Sequence, residues 1–119
     1  MDRPKFGAAN RIWRACGASY RGYRGAFKGE AAFRQELVVA LVVAPLGLYL
    51  GKNGMERALL VAPVVLVLVV ELINSAIEAT VDRVGLELHE LSGLAKDLGS
   101  AAVLTSFVLL GLTWLLVLL

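Results

Sequence analysis

Apolar residues gather in three runs, at 37–50, 58–70 and 101–119. A helix rises about 1.5 Å per residue, so about 20 residues are needed to cross about 30 Å of hydrocarbon. The third run has that length by itself. The first reaches it only by taking in part of Phe33-Arg34-Gln35-Glu36, and the second only by continuing through Glu71, Asn74 and Ser75 toward Glu78. Arg34 can extend its head group to the interface, whereas Glu71 has no such exit. Pro45 and Pro63 fall inside these runs, where spanning helices tolerate proline as a kink. Asn53-Gly54 marks a turn between the first two runs. The pattern predicts one domain over 1–119, with spans at about 33–51, 58–82 and 99–119.

The segment before the first span has a different pattern. With 100° per residue counted from Arg14, Arg21 and Lys28 fall within about 40° of it, and Arg11 and Arg24 sit at the edges of the same face. Trp13, Cys16, Tyr20, Tyr23 and Phe27 cluster on the opposite face. This is the pattern of a helix lying in the membrane interface, expected over about 8–30. Glycines at 17, 22, 25 and 29 weaken it by about 1 kcal/mol each, so lipid contact must support it. Residues 1–36 have no early apolar core or small-residue cleavage site and are not read as a signal peptide. The expected class is therefore an all-α membrane protein, with three transmembrane helices and an N-terminal amphipathic surface helix.

Composition narrows the partners. The chain has 119 residues, 58% hydrophobic and 18% charged, too short for a two-domain enzyme and too apolar for a water-soluble globule. Twelve Lys and Arg against ten Asp and Glu give a net charge of only +2, so the membrane, and not nucleic acid, is the expected partner. Eight of the twelve basic residues precede the first span: Arg3, Lys5, Arg11, Arg14, Arg21, Arg24, Lys28 and Arg34. Lys52 and Arg57 lie in the first loop, Arg83 and Lys96 in the second. That bias predicts a cytoplasmic N-terminus and, after three spans, a C-terminus outside. The single Cys16 excludes an internal disulfide framework or thiolate zinc site.

Candidate chemistry concentrates in two places. On the second span, Glu71, Asn74, Ser75, Glu78 and Asp82 recur at i, i+3, i+4, i+7 and i+11, one polar stripe on an otherwise apolar helix. An ionisable residue as deep as Glu71 is a functional-site candidate by default, and the competing reading is an interhelical hydrogen-bond stripe. Glu71 and Glu78 are about 10.5 Å apart along a helix axis. That is too far to chelate one ion together but suited to flanking a reaction centre, one holding metal and the other meeting an acceptor hydroxyl. The following segment, 82–97, reads as a cytoplasmic loop with the lone His89 and the pair Lys96-Asp97. A lysine there can meet phosphate as a point charge. With one histidine and one cysteine, a metal must be held by oxygen, which points to magnesium. The P-loop pattern fails, because Tyr23 and Arg24 stand where Lys-Ser/Thr is needed after Gly17 and Gly22, and no G-x-G-x-x-G occurs.

Four blocks in order carry a resemblance over nearly the whole chain. They are Glu30-Ala31-Ala32-Phe33-Arg34-Gln35-Glu36, the segment 71–82 followed by Arg83, His89-Glu90-Leu91-Ser92-Gly93, and Ala95-Lys96-Asp97. Together they closely resemble the prokaryotic diacylglycerol kinases, and the first block looks like the diacylglycerol-specific branch and not the related undecaprenol kinases. The resemblance implies an inner-membrane homotrimer with sites shared between protomers, transferring the γ-phosphate of Mg-ATP to diacylglycerol to give phosphatidic acid. It implies Glu71 as general base, and Glu30 and Glu78 as holders of the magnesium that bridges the ATP phosphates. Lys96 would hold β/γ-phosphate oxygens, and Glu87, His89 and Asp97 would surround the adenosine. Arg11 would contact phosphate or lipid headgroup, and Ser19, Arg34, Gln35 and Ser100 would border the lipid site. Ala18 stands where relatives often carry an aromatic residue, so only a backbone contact to nucleotide carries over there. Leu94 stands where relatives often carry a basic residue. The alternatives are an undecaprenol kinase and, in another class, a small proton-coupled transporter with Glu71 as its proton site.

Overall fold

The computed structural model describes residues 7–85, 87 and 89–119; Arg3 and Lys5, counted in the charge bias, lie outside them. The described chain forms four helices: α1 (Ala8–Gly29), α2 (Ala31–Leu50), α3 (Gly54–Val84) and α4 (Glu90–Leu118). The last three are long and apolar enough to cross a membrane. α3 is flanked by α2 and α4 and packs most extensively against α4, whereas α1 meets α2 at a corner.

Capping explains the turns. Between α2 and α3, the side chain of Asn53 accepts the Glu56 N–H (2.9 Å), and the Glu56 carboxylate accepts the Lys52 N–H (3.1 Å). These bonds satisfy donors that a helix start leaves unpaired. Arg57 donates from Nε to the Leu48 carbonyl (3.1 Å), serving the end of α2. At the other turn His89 is the N-cap of α4, its Nδ1 accepting the Leu91 N–H (3.1 Å). Pro45 and Pro63 lie within α2 and α3, which continue through them.

The segment 82–97, expected as a loop, is mostly helix. α3 runs on to Val84 and α4 starts at Glu90, so Lys96 and Asp97 sit on a helix. The polar residues on these ends project beyond the apolar runs, and the His89 cap with Glu90 in the first turn favours an early start for α4.

Three helices cross at one close contact. A Cβ on Gly47 of α2 would lie 3.0 Å from the Leu60 Cβ of α3 and 3.3 Å from the Trp114 ring of α4. Trp114 donates from Nε1 to the Leu60 carbonyl (2.8 Å), and Leu60 is fully buried. Leu60, Pro63, Val64 and Val67 form the buried face of this half of α3. Most other apolar side chains on α2 and α4 are exposed in the single chain, as expected of surfaces that meet lipid or neighbouring helices. On α1, Trp13, Tyr20, Tyr23 and Phe27 are also exposed, and Ala26 alone is buried.

Candidate active site

The polar stripe lies on the half of α3 away from that crossing. Apolar neighbours force it into α3, because no glycine or proline follows Pro63 before Gly85. Glu71 is only 4% exposed and Asn74 9%, so these are buried polar groups in a helix otherwise packed with aliphatics. The Glu36 carboxyl of α2 lies within hydrogen-bonding reach of Glu71, and Glu30 and Glu78 are close enough to act on its charge. Asn74 donates from Nδ2 to Glu78 Oε1 at 3.4 Å. Its Oδ1 lies against Gly99 of α4, where any Cβ would collide with it. Asn74 Oδ1 and Glu36 Oε2 are buried acceptors without a hydrogen-bond partner. Buried polar atoms are normally paired, so each unpaired one calls for an explanation such as a catalytic role, a water or an ion.

Among the described residues no three acidic, histidine or cysteine side chains are arranged to enclose a metal ion. The donors near Glu71 are carboxylate and amide oxygens. An open set of one or two carboxylates suits magnesium, which keeps most of its shell for water and phosphate. These donors would fit a magnesium ion that takes the rest of its ligands from elsewhere.

A groove of about 540 Å³ runs between α1 and α3. Ser19, Tyr23 and Glu30 line one wall, and Leu72, Ser75 and Ala79 the other. Glu30 is the single residue between α1 and α2, with extended backbone and a half-buried side chain. The Ser19 hydroxyl donates to the Ala15 carbonyl (2.8 Å).

The remaining residues expected from the sequence fall around this centre. Lys96 pairs with Asp82 at 2.8 Å, both about half exposed, and the Glu78 charge reaches the same ammonium. This joins the far end of α3 to the first turns of α4. His89 caps α4, and with Nδ1 accepting, a neutral imidazole carries its hydrogen on Nε2. Glu87 lies exposed between the helices; Gln35, Asp97 and Ser100 are exposed on α2 and α4. Arg34 turns its guanidinium to the Phe27 and Lys28 carbonyls of α1. Arg11 is exposed near the start of α1, and Ala18 lines a separate hollow of about 480 Å³ with Trp13, Arg14 and Arg21.

The structure thus gathers Glu30, Glu71 and Glu78, and ties Lys96 to the same end of α3. It does not bring Arg11 or Ala18 into the groove that Ser19 and Glu30 line. Three members of the cluster were not singled out as site residues from the sequence. Glu36 reads there only as a polar neighbour of the first span, although an acid at the head of an apolar run was the available signal. Asn74 and Asp82 were visible as members of the stripe, but their partners Gly99 and Lys96 were not.

Fold and site define a small helical membrane protein with a carboxylate-rich centre near one end of its spans. The model of the prokaryotic diacylglycerol kinase family matches residues 17–118. The chain is 50% identical over 108 residues to the diacylglycerol kinase of Escherichia coli (strain K12), covering 91% of this chain and 88% of that enzyme. It is 50% identical over 109 residues to the diacylglycerol kinase of Pseudomonas aeruginosa (strain PAO1), covering 92% and 89%. Identity to that of Helicobacter pylori (strain 26695) is 42% over 111 residues, covering 93% and 87%. The chain belongs to the prokaryotic diacylglycerol kinase family.

Proposed function

We propose that the chain transfers the γ-phosphate of ATP to the primary hydroxyl of diacylglycerol, giving phosphatidic acid and ADP, at the cytoplasmic face of a bacterial inner membrane. The observation that carries this reading is the half identity, over some nine-tenths of the chain, to enzymes named for that activity. The buried Glu71, in a spanning helix with three further carboxylates around it, supports it independently.

Glu71 accepts the proton of the lipid hydroxyl as the oxygen attacks. A base must stand within hydrogen-bond reach of that proton, and Glu71 sits at a depth that a lipid hydroxyl can attain while its acyl chains stay in the bilayer. The groove between α1 and α3, apolar at Leu72 and Ala79 and polar at Ser19 and Glu30, suits a glycerol backbone. Ser19, Gln35 and Ser100 border that acceptor. Glu30 and Glu78 would hold a magnesium ion, which would supply charge neutralisation at the phosphates. Asn74 fixes the Glu78 carboxylate. Lys96 leaves Asp82 to pair with phosphate oxygens, and Arg11, Ala18, Glu87, His89 and Asp97 surround the rest of the nucleotide. The protein works as a homotrimer with sites shared between protomers, the N-terminus cytoplasmic, the C-terminus periplasmic and α1 lying in the interface with its aromatic face in lipid.

The test is phosphoryl transfer from γ-labelled ATP by the purified full chain in lipid vesicles, with diacylglycerol and undecaprenol offered side by side. Label on diacylglycerol is expected. Label on undecaprenol alone would reassign the acceptor, and label on neither would remove the kinase reading.

A further inference from the structure

The corner between α1 and α2 is a single residue. Glu30 has φ −122° and ψ 106° and serves both as C-cap of α1 and as N-cap of α2. Its N–H donates to the Ala26 carbonyl (2.9 Å) and its carbonyl accepts the Arg34 N–H (3.2 Å). An N-cap carboxylate ordinarily turns back onto the helix it starts. That of Glu30 makes no capping bond and lines the groove facing α3. Its aim is therefore set by the corner, not by its own helix.

Arg34 crosses that corner. From the first turn of α2, its Nη1 donates to the Phe27 carbonyl (2.8 Å) and the Lys28 carbonyl (3.2 Å). A helix leaves its last four carbonyls without internal partners. In α1 the Ala26 carbonyl is taken by Glu30, and Arg34 takes two of the other three. A planar guanidinium can bridge two carbonyls at once and also places a cation at the negative end of the helix dipole. On either side of the corner, Ala26 and Phe33 are the buried apolar residues. No other side-chain hydrogen bond is found across this junction among the described residues.

We infer that Arg34 is a positioning residue for Glu30: its guanidinium clasps the end of α1 to α2 and so directs the Glu30 carboxylate into the groove opposite α3. This rests on the proposed role of Glu30 as a magnesium ligand. It gives Arg34 a function distinct from direct contact with the lipid acceptor.

The experiment uses the full chain in vesicles, wild type against Arg34→Ala and Arg34→Lys. Two readouts are taken. One is steady-state kinetics, with the magnesium, ATP and diacylglycerol dependences measured separately. The other is amide hydrogen exchange across residues 26–34, which needs no turnover. In Arg34→Ala the corner amides exchange faster and the half-saturating magnesium rises about ten- to a hundredfold, the usual cost of losing a group that orients a metal ligand. The diacylglycerol KM stays within about twofold. Arg34→Lys, whose ammonium reaches one carbonyl in place of two, falls between wild type and alanine on both measures. If alanine prevents assembly, the lysine variant carries the test. A raised diacylglycerol KM with unchanged exchange and magnesium dependence would make Arg34 a direct lipid ligand and overturn the clasp. Faster exchange with unchanged magnesium dependence would overturn the link to Glu30. A wild type that phosphorylates no lipid would remove the kinase reading, while faster exchange in the variants would still report the clasp.

Discussion

The two halves of α3 are built on opposite terms. Near its start, Leu60, Val64 and Val67 are buried in contact with helices that approach as closely as Gly47 allows, and the interhelical bond from Trp114 to the Leu60 carbonyl is short and partly buried. Near its end, the buried residues are Glu71 and Asn74, and Asn74 Oδ1 lacks a partner, as does Glu36 Oε2 on α2. The first half settles its polar groups and gains from packing. The second carries one unpaired polar group and adjoins another, each costing about 1–3 kcal/mol when desolvated. A single helix can hold both because the well-packed half anchors the half kept ready for chemistry.

Substitutions that act on one half and spare the other test this division, and the largest effects belong to the carboxylates. Glu71→Gln keeps the shape and removes the proposed base, so turnover is expected to fall by about 10² to 10⁴ while ATP affinity is unchanged. Glu78→Gln, a poor magnesium ligand, lowers turnover comparably at ordinary magnesium concentrations. Both variants keep the thermal stability of the wild type, read by unfolding in detergent. Near-normal turnover of Glu71→Gln would return that residue to a structural hydrogen bond.

Gly99→Ala reaches the same half without touching a charge. The new methyl collides with Asn74 Oδ1, so Asn74 must swing away and release Glu78. Turnover drops about ten- to a hundredfold, and the magnesium requirement rises with it. An unchanged magnesium titration would show that Asn74 does not hold Glu78.

Lys96→Ala has a smaller effect. It removes the proposed phosphate partner, which α4 holds beside the exposed end of α3, and raises the ATP KM several-fold, with the diacylglycerol KM constant. Fluorescent-nucleotide binding checks it independently of turnover.

Trp114→Phe sharpens the comparison from the other side. It deletes the bond to the Leu60 carbonyl and lowers stability by about 1 kcal/mol. Turnover per folded protein is unaffected, because the change lies at the end of α3 away from Glu71.

Much of this division can be read along the chain. Three apolar runs announce three long helices, since hydropathy depends only on local composition. The stripe at 71–82 announces the polar half by its helical spacing, and Glu71 stands out by depth alone. What the chain does not display is pairing between helices. Asn74 reads as glue until Gly99 is seen beneath it, and Lys96 reads as a loop lysine until α4 is found to start at Glu90 and to carry it to Asp82. Those contacts depend on how closely and in what rotation helices approach, which local periodicity does not encode. The cap at His89 was hidden for a simpler reason: histidine is not among the residues that usually start helices.

α3 is one continuous rod of 31 residues, about 46 Å long, against about 30 Å of hydrocarbon. From the Asn53 cap to Glu71 is 18 residues, or about 27 Å along the axis. With the turn between α2 and α3 held at one surface by Lys52 and Arg57, that length becomes a ruler for Glu71. A thicker bilayer submerges Glu71 below the plane of the lipid hydroxyls, and a thinner one lifts it toward the headgroups. On the role proposed for Glu71, the rate of phosphorylation then carries information about the acyl-chain length of the surrounding lipid, and the membrane's own composition sets the pace at which one of its components is converted.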